Sequence, residues 1–350
     1  MPMQVDDATP LTNPPHPVDR SVNPSESTDD PALLHVLLLD GRGGATKLDD
    51  RAIEAWQPGD GVLWMHVDIT SVEAVERLST IPGLDSRQAA LLATTDTRPH
   101  ADIISDTVRL ALRGVNLHPD ANPEDMVSLR IWAADGRVAS ARRRWLMSVE
   151  DIHEALIDGE GPRTTGELLV ALAARLITRM GGTIDTLEAR ILDVEDALDG
   201  NPNATLQREI ADIRRTTIAL RRYLAPQRDA LSQLGSARLL WLSGDERLAL
   251  KDGIEILQRH IDDLDSVRER ATVAREEFVN HQSGQTNRRM FMLSILSAVF
   301  LPLSFLTGLL GINLGGIPGA DDPHAFGIAT ALLIAVGLAI VLFFRFGRWF

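Results

Sequence analysis

The chain contains no cysteine. Disulfides, thiolate metal sites and cysteine nucleophiles are excluded together. Positive charge is scarce: 35 Lys and Arg stand against 49 Asp and Glu, a formal net charge of −14. Nucleic acid, which requires a basic surface, is not an expected partner, whereas cations gather near an acidic one. No P-loop, dinucleotide-binding glycine pattern, His-Glu-x-x-His or nucleophile elbow occurs, so no enzymatic activity is expected. Residues 1–31 have neither a basic start nor an apolar stretch. Rich in Pro, Asp, Ser and Thr, they predict a disordered tail and not a signal peptide.

Two long apolar stretches lie near the other end, at 290–312 and 326–345. Each has about the 20 residues that a helix needs to cross a roughly 30 Å hydrocarbon layer. Two helices cannot enclose a water-filled path, so any conduit requires several copies around an axis. Arg288 and Arg289 precede the first stretch, and Arg345 and Arg348 surround the end of the second. The 313–325 loop between them has no Lys or Arg and carries Asp321 and Asp322. The positive-inside rule therefore predicts both termini, including a short tail at 346–350, in the cytoplasm and the loop outside.

Residues 32–148 read as a mixed α/β domain. Strands are predicted at 33–39, 62–69 and 107–117. Two more, at 126–133 and 137–141, flank the Asp135-Gly136 hairpin signal. Short helices are predicted at 71–80 and 86–93. From 149 to 289 the pattern is helical, with long helices at 164–199 and 204–234. A third opens at Ser243–Asp245 and carries an apolar stripe from Leu248 through Ile254, Leu257, Ile261, Leu264, Val267, Ala271, Ala274 and Phe278 to His281. With no proline between Asp245 and Met290, it is expected to continue into the first span, giving about 65 residues or roughly 100 Å. A helix that long needs partners, which a bundle with one helix per subunit supplies.

A long helix that becomes the first of only two spans, a span ending in Gly311-Ile312-Asn313, and a short outer loop together resemble the CorA family of divalent-cation transporters. Gln285-Thr286-Asn287, Leu301-Pro302-Leu303-Ser304-Phe305 and Gly308-Leu309-Leu310-Gly311 match the family's pattern. Leu314-Gly315-Gly316-Ile317-Pro318-Gly319 looks like its zinc-transporting ZntB branch. The resemblance implies an α+β cytoplasmic domain with long helices leading into a two-span transmembrane hairpin, assembled as a funnel-shaped homopentamer in the bacterial inner membrane. The first span (290–312) would line the pore and the second (326–345) would face lipid. Zinc would be the transported ion and not a resident cofactor.

Carried over position by position, the resemblance gives a pore set of Asn287, Met290, Leu293, Leu301, Ser304, Gly308, Gly311, Ile312 and Asn313. Five Asn313 side chains offer neutral amide oxygens that hydrogen-bond the waters of a hydrated dication. Gly308 and Gly311 let backbones approach. Pro302 frees the Ala298 carbonyl. Met290, Leu293 and Leu301 form apolar rings able to close the path by dewetting. Asp321, Asp322 and His324 are the candidate outer-mouth groups, and imidazole suits zinc better than magnesium. Other readings stand beside these: serine and glycine as helix-packing residues, Asn313 as a helix cap, the loop as a polar turn.

The long helix carries Asp252 and other acids with interleaved cations, which reads as a solvated, salt-bridged face. The histidines at 35, 66, 100, 118, 153, 260 and 281 are scattered; His66, in a strand, is expected in the core. The favoured expectation is zinc transport, with or without protons. The alternative is a magnesium, cobalt or nickel channel driven by the membrane potential, and a plain coiled-coil anchor is a third.

Overall fold

The computed structural model of the protein describes residues 32–94, 98–118, 121–200, 202–312 and 323–346. The expected tail at 1–31, Asn313, Asp321, Asp322 and the last four residues lie outside the described residues. Two compact units emerge: one from Met1–Thr186 with Ile218–Leu264, the other from Leu187–Thr217 with Asp265–Phe350.

The first unit is built on a seven-stranded sheet: β1 (Leu33–Leu39), β2 (Ala45–Lys47), β3 (Val62–Asp68), β4 (His100–Ile104), β5 (Thr107–Gly114), β6 (Val127–Ala134) and β7 (Arg137–Arg142). Their order across the sheet is β2-β1-β3-β7-β6-β5-β4. Every pair is antiparallel except β3 with β7, which runs parallel from Leu63↔Arg137 to Asp68↔Arg142. The β6–β7 hairpin turns at Gly136, where φ is +72°, a conformation that glycine adopts without strain. Central strands read as continuous apolar runs because both sheet faces are covered, and all eight residues of β6 are buried.

One face packs Leu63, Met65, Val67, Trp132 and Ala139 against α1 (Asp50–Ala55), α2 (Ala74–Ser79) and α3 (Ser86–Leu92), through Ile53, Leu78 and Leu92. The opposite face carries His35, Trp64, His66, Ser140 and Arg142. Over it lies α4 (Met147–Ile157), whose Glu150 reaches both His35 and Arg142. The helices α5 (Thr165–Leu198), α6 (Ala204–Ser236), α7 (Gly244–Leu310) and α8 (Ala325–Phe346) complete the chain. Both ends of α5 and α6, and the start of α7, lie within two residues of their expected limits.

The start of α7 is tied to the start of α5. Ser243 is the N-cap: its Oγ accepts from the Glu246 N–H at 3.3 Å, and Glu246 Oε2 accepts from the Ser243 N–H at 2.5 Å. This reciprocal pair satisfies two orphan donors. The other oxygen, Oε1, accepts from the Thr164 hydroxyl at 2.5 Å, and Thr164 Oγ1 itself accepts from the Glu167 N–H. Glu246→Ala removes the two bonds that its carboxylate accepts, from the Ser243 N–H and the Thr164 hydroxyl, at a buried site and is expected to cost about 1–2 kcal/mol. The soluble part should melt roughly 3–6 °C lower by circular dichroism, and an unchanged Tm would contradict the link.

Candidate functional site

Along α7 one stripe is buried. Leu250, Leu257, Ile261 and Leu264 belong to the first unit; Val267, Ala271, Ala274 and Phe278 belong to the second. Steps of three and four hold such a stripe on one helix face. Ile254 is only half-buried, and two other expected members are exposed. Leu248 is 59% exposed, because it lies two residues, about 200° of helix rotation, from the Leu250 row. His281 is exposed because burial ends at Phe278: every residue from 279 to 290 is exposed.

The acids of α7 pair in part along their own helix, Asp265 with Arg268 at 3.4 Å, while other cations of the helix turn to different partners. Arg247 donates instead to the carbonyls of Gly235 and Leu239 at 3.0 Å, and to that of Ala237, closing the end of α6. Arg270 makes a bidentate pair with Glu195 of α5 at 2.8 and 2.5 Å, which holds the Glu195 carboxyl below its ordinary pKa. Asp252 is exposed.

The apolar parts of α7 and α8 are both long enough to cross a membrane, and neither is buried within the chain. A surface of that size is covered by lipid or by other copies of the chain. The two helices do meet along one seam. On α7 the half-buried positions are Phe291, Ile295, Ala298, Val299, Leu303 and Leu306; on α8 they are Ala329, Leu333, Val336, Gly337, Ile340 and Phe344. A Cβ built on Gly337 would rest 3.7 Å from Leu303 Cδ1, ordinary van der Waals contact.

The expected pore residues lie elsewhere on α7. At 100° per residue, Asn287, Met290, Leu293, Leu301, Ser304 and Gly308 fall within a sector roughly 120° wide. That sector is centred roughly 150° from the α8 seam. Its members are all exposed, with Met290 at 62%, Leu293 at 65% and Leu301 at 70%. Asn287, Met290, Ser294, Ser297, Leu301, Ser304, Gly308 and Gly311 alternate steps of three and four, the spacing that keeps a seam facing an axis in a bundle. The structure thus gathers the described members on one face and leaves that face uncovered by the chain's own second span.

Local hydrogen bonding supports an unbroken helix. Ser294 Oγ donates to the Met290 carbonyl at 2.9 Å, and Thr307 Oγ1 donates to Leu303 and Ser304 carbonyls at 3.0 and 3.1 Å. Pro302 lies inside α7, so the Ala298 carbonyl has no N–H four residues on. Gly311 and Ile312 follow the last helical residue, the Gly311 N–H reaching the Thr307 carbonyl at 2.9 Å. His324 is exposed at the start of α8, its carbonyl accepting from Ile328 N–H at 3.1 Å.

His66 is buried as expected, but only half satisfied: Nδ1 lies 2.8 Å from Ser140 Oγ, while Nε2 is buried with no hydrogen-bond partner among the described residues. His35 and His153, which are far apart in the chain, stack with ring centroids 4.0 Å apart. Their proximity depends on the fold and had no short-range signal, apart from the Glu150-x-x-His153 spacing that puts both groups on one face of α4.

Residues 59–348 match the model of the CorA-like Mg2+ transporter protein family. The divalent cation transporter CmaX of Pseudomonas aeruginosa is 39% identical over 328 residues, covering 93% of this chain and 98% of that protein. The zinc transport protein ZntB of Yersinia pseudotuberculosis is 36% identical over 317 residues, covering 90% and 95%. Among solved structures, full-length CmaX superposes with a TM-score of 0.81 at 38% identity, covering 93% of this chain and all of that one. The CorA magnesium transporter of Methanocaldococcus jannaschii superposes at 0.78 with 19% identity, covering 90% and 99%, which establishes a shared fold.

Proposed function

This chain belongs to the CorA-like Mg2+ transporter family, and from that premise we propose that it is a zinc transporter of the bacterial inner membrane, working as a homopentamer. Residues 290–312 of each copy line an axial path, 326–345 lie outside against lipid, and both termini are cytoplasmic. The observation that carries this reading is the uncovered sector of α7. Its small and polar residues face away from α8, so assembling copies bring Ser304 and Gly308 together around an axis. The loop residues Leu314–Gly319 and the zinc-transporting homologue support zinc as the ion.

The ion keeps its waters through the amide ring of Asn313. Apolar rings at Met290, Leu293 and Leu301 close the path when dewetted. Asp321, Asp322 and His324 concentrate cations at the outer mouth. The stripe of the first span holds no Asp, Glu or His, so any proton carried with zinc is relayed at the mouth or in the soluble part. A second reading is a magnesium, cobalt or nickel channel driven by potential alone; the relative at 39% identity is named as a divalent cation transporter, which fits either reading.

Proteoliposomes holding the purified chain separate the two. The zinc reading expects zinc uptake that exceeds magnesium uptake and responds to an imposed pH gradient. Magnesium uptake indifferent to pH would move the chain to the second reading.

A further inference from the structure

On the α4-covered face of the sheet, within the first unit, three metal-ligating side chains converge. His35 Nε2 lies 3.2 Å from Glu150 Oε2. One ligand atom from each of His35, Glu150 and His153 can be chosen so that all three lie within 4.8 Å of one another. A tetrahedral zinc with bonds of about 2.0–2.1 Å sets its ligands roughly 3.3 Å apart, so small side-chain rotations close the set. All three are half-buried, with His35 at 16% and Glu150 at 24% side-chain exposure, so water has access to a further coordination position.

The surroundings orient the donors. Arg142 holds Glu150 Oε1 at 3.2 Å, leaving Oε2 to face the imidazole, the kind of outer contact that fixes a ligating carboxylate. The second, independent observation is His66. Its ring is fully buried and stacks against His35 with centroids 6.0 Å apart. With Nδ1 engaged by Ser140, its Nε2 has no hydrogen-bond partner among the described residues. A buried polar atom left without a partner is costly, and here it stands beside a cluster of metal ligands. Burial, then the neighbouring His35, pushes His153 below the usual histidine range, and burial keeps His66 well below it. Glu150 is lowered on balance: burial raises it, but the His35 hydrogen bond and the His35 and Arg142 charges outweigh burial.

We propose that His35, Glu150 and His153 form a binding site for one transition-metal dication of the zinc class per chain, in the soluble α/β unit and separate from the transport path. Two imidazoles and one carboxylate suit zinc or cobalt, whereas magnesium favours an all-oxygen octahedron. The bound ion would join β1 to α4, which also meet here through the His35–Glu150 pair and the His35–His153 stack. The proposal does not rest on the pore reading.

The test uses the full chain in detergent, stripped of metal with a chelator. Equilibrium dialysis against zinc should give one more equivalent per chain for the wild type than for His153→Gln or His35→Gln. Asn313→Ala should keep that equivalent. Cobalt should give a visible ligand-field spectrum that both histidine variants lose and that excess magnesium leaves unchanged. In the wild type, zinc should also protect His35 and His153 from diethylpyrocarbonate, read by mass spectrometry, a measurement independent of how the variants fold. Equal zinc binding by wild type and folded variants, or full modification of both histidines in saturating zinc, would overturn the site.

Discussion

Asn313→Ala is expected to reduce divalent-cation uptake to near background while the chain still assembles and inserts. The side chain that disappears carries the amide at the end of the first span, within Gly311-Ile312-Asn313. In a homopentamer the substitution removes five amides at once. A neutral hydrogen bond contributes about 1 kcal/mol net. Losing only two to the waters of the ion costs about 2 kcal/mol, roughly a thirtyfold drop in occupancy. Loss of a larger part of the ring exceeds that. Radioactive zinc or cobalt uptake into proteoliposomes, beside size-exclusion analysis of the same preparation, reads both quantities. Full uptake by an assembled variant would reduce Asn313 to a helix cap. Loss of the assembly instead would make its role structural.

How much of this was readable in advance depends on how locally each feature is encoded. The long helices were legible because apolar residues recur at three and four over many turns, and Gly200 and Ser243–Asp245 punctuate them. The central strands β3, β5, β6 and β7 were legible as apolar runs and by the Asp135-Gly136 turn. The missed elements, β2, β4 and α1, are short and peripheral. β2 and β4 are the two sheet edges and pair on one side only, and α1 buries a single residue, Ile53. With one half-exposed face and few apolar positions, none has the alternation that marks a strand or the stripe that marks a helix.

The candidate sites divide in the same way. The α7 stripe is a property of spacing, so it was visible. The seam with α8 was not, because α8 is apolar all round and offers no signal of which side meets α7. The histidine cluster was invisible for a different reason. His35 and Glu150 are 115 residues apart, and only the β1–β3–β7 pairing under α4 brings them into range. His66 was expected in the core and is there. What its burial in a strand does not reveal is that one nitrogen remains unpaired, since that depends on Ser140 arriving from β7 through parallel pairing with β3.

Gly308→Leu provides the sharpest separation between a pore face and a lipid face. A Cβ at Gly308 meets nothing within 4 Å in the single chain, so neither the fold of one copy nor the α7–α8 seam opposes a larger side chain. Leucine also favours helix over glycine by nearly 1 kcal/mol, so the soluble units should melt unchanged. If Gly308 lines an axis, however, every copy contributes a branched apolar side chain to one narrow ring, excluding water and the hydrated ion together. Uptake should fall at least tenfold, equivalent to about 1.4 kcal/mol of added barrier. Gly337→Leu is the matched control. Its Cβ lies against Leu303 on the seam, so it should perturb hairpin packing, read as lower detergent stability, without plugging the path. Normal uptake by an assembled Gly308→Leu variant would place that sector of α7 against lipid, and the polar stripe would then have to be explained by packing alone.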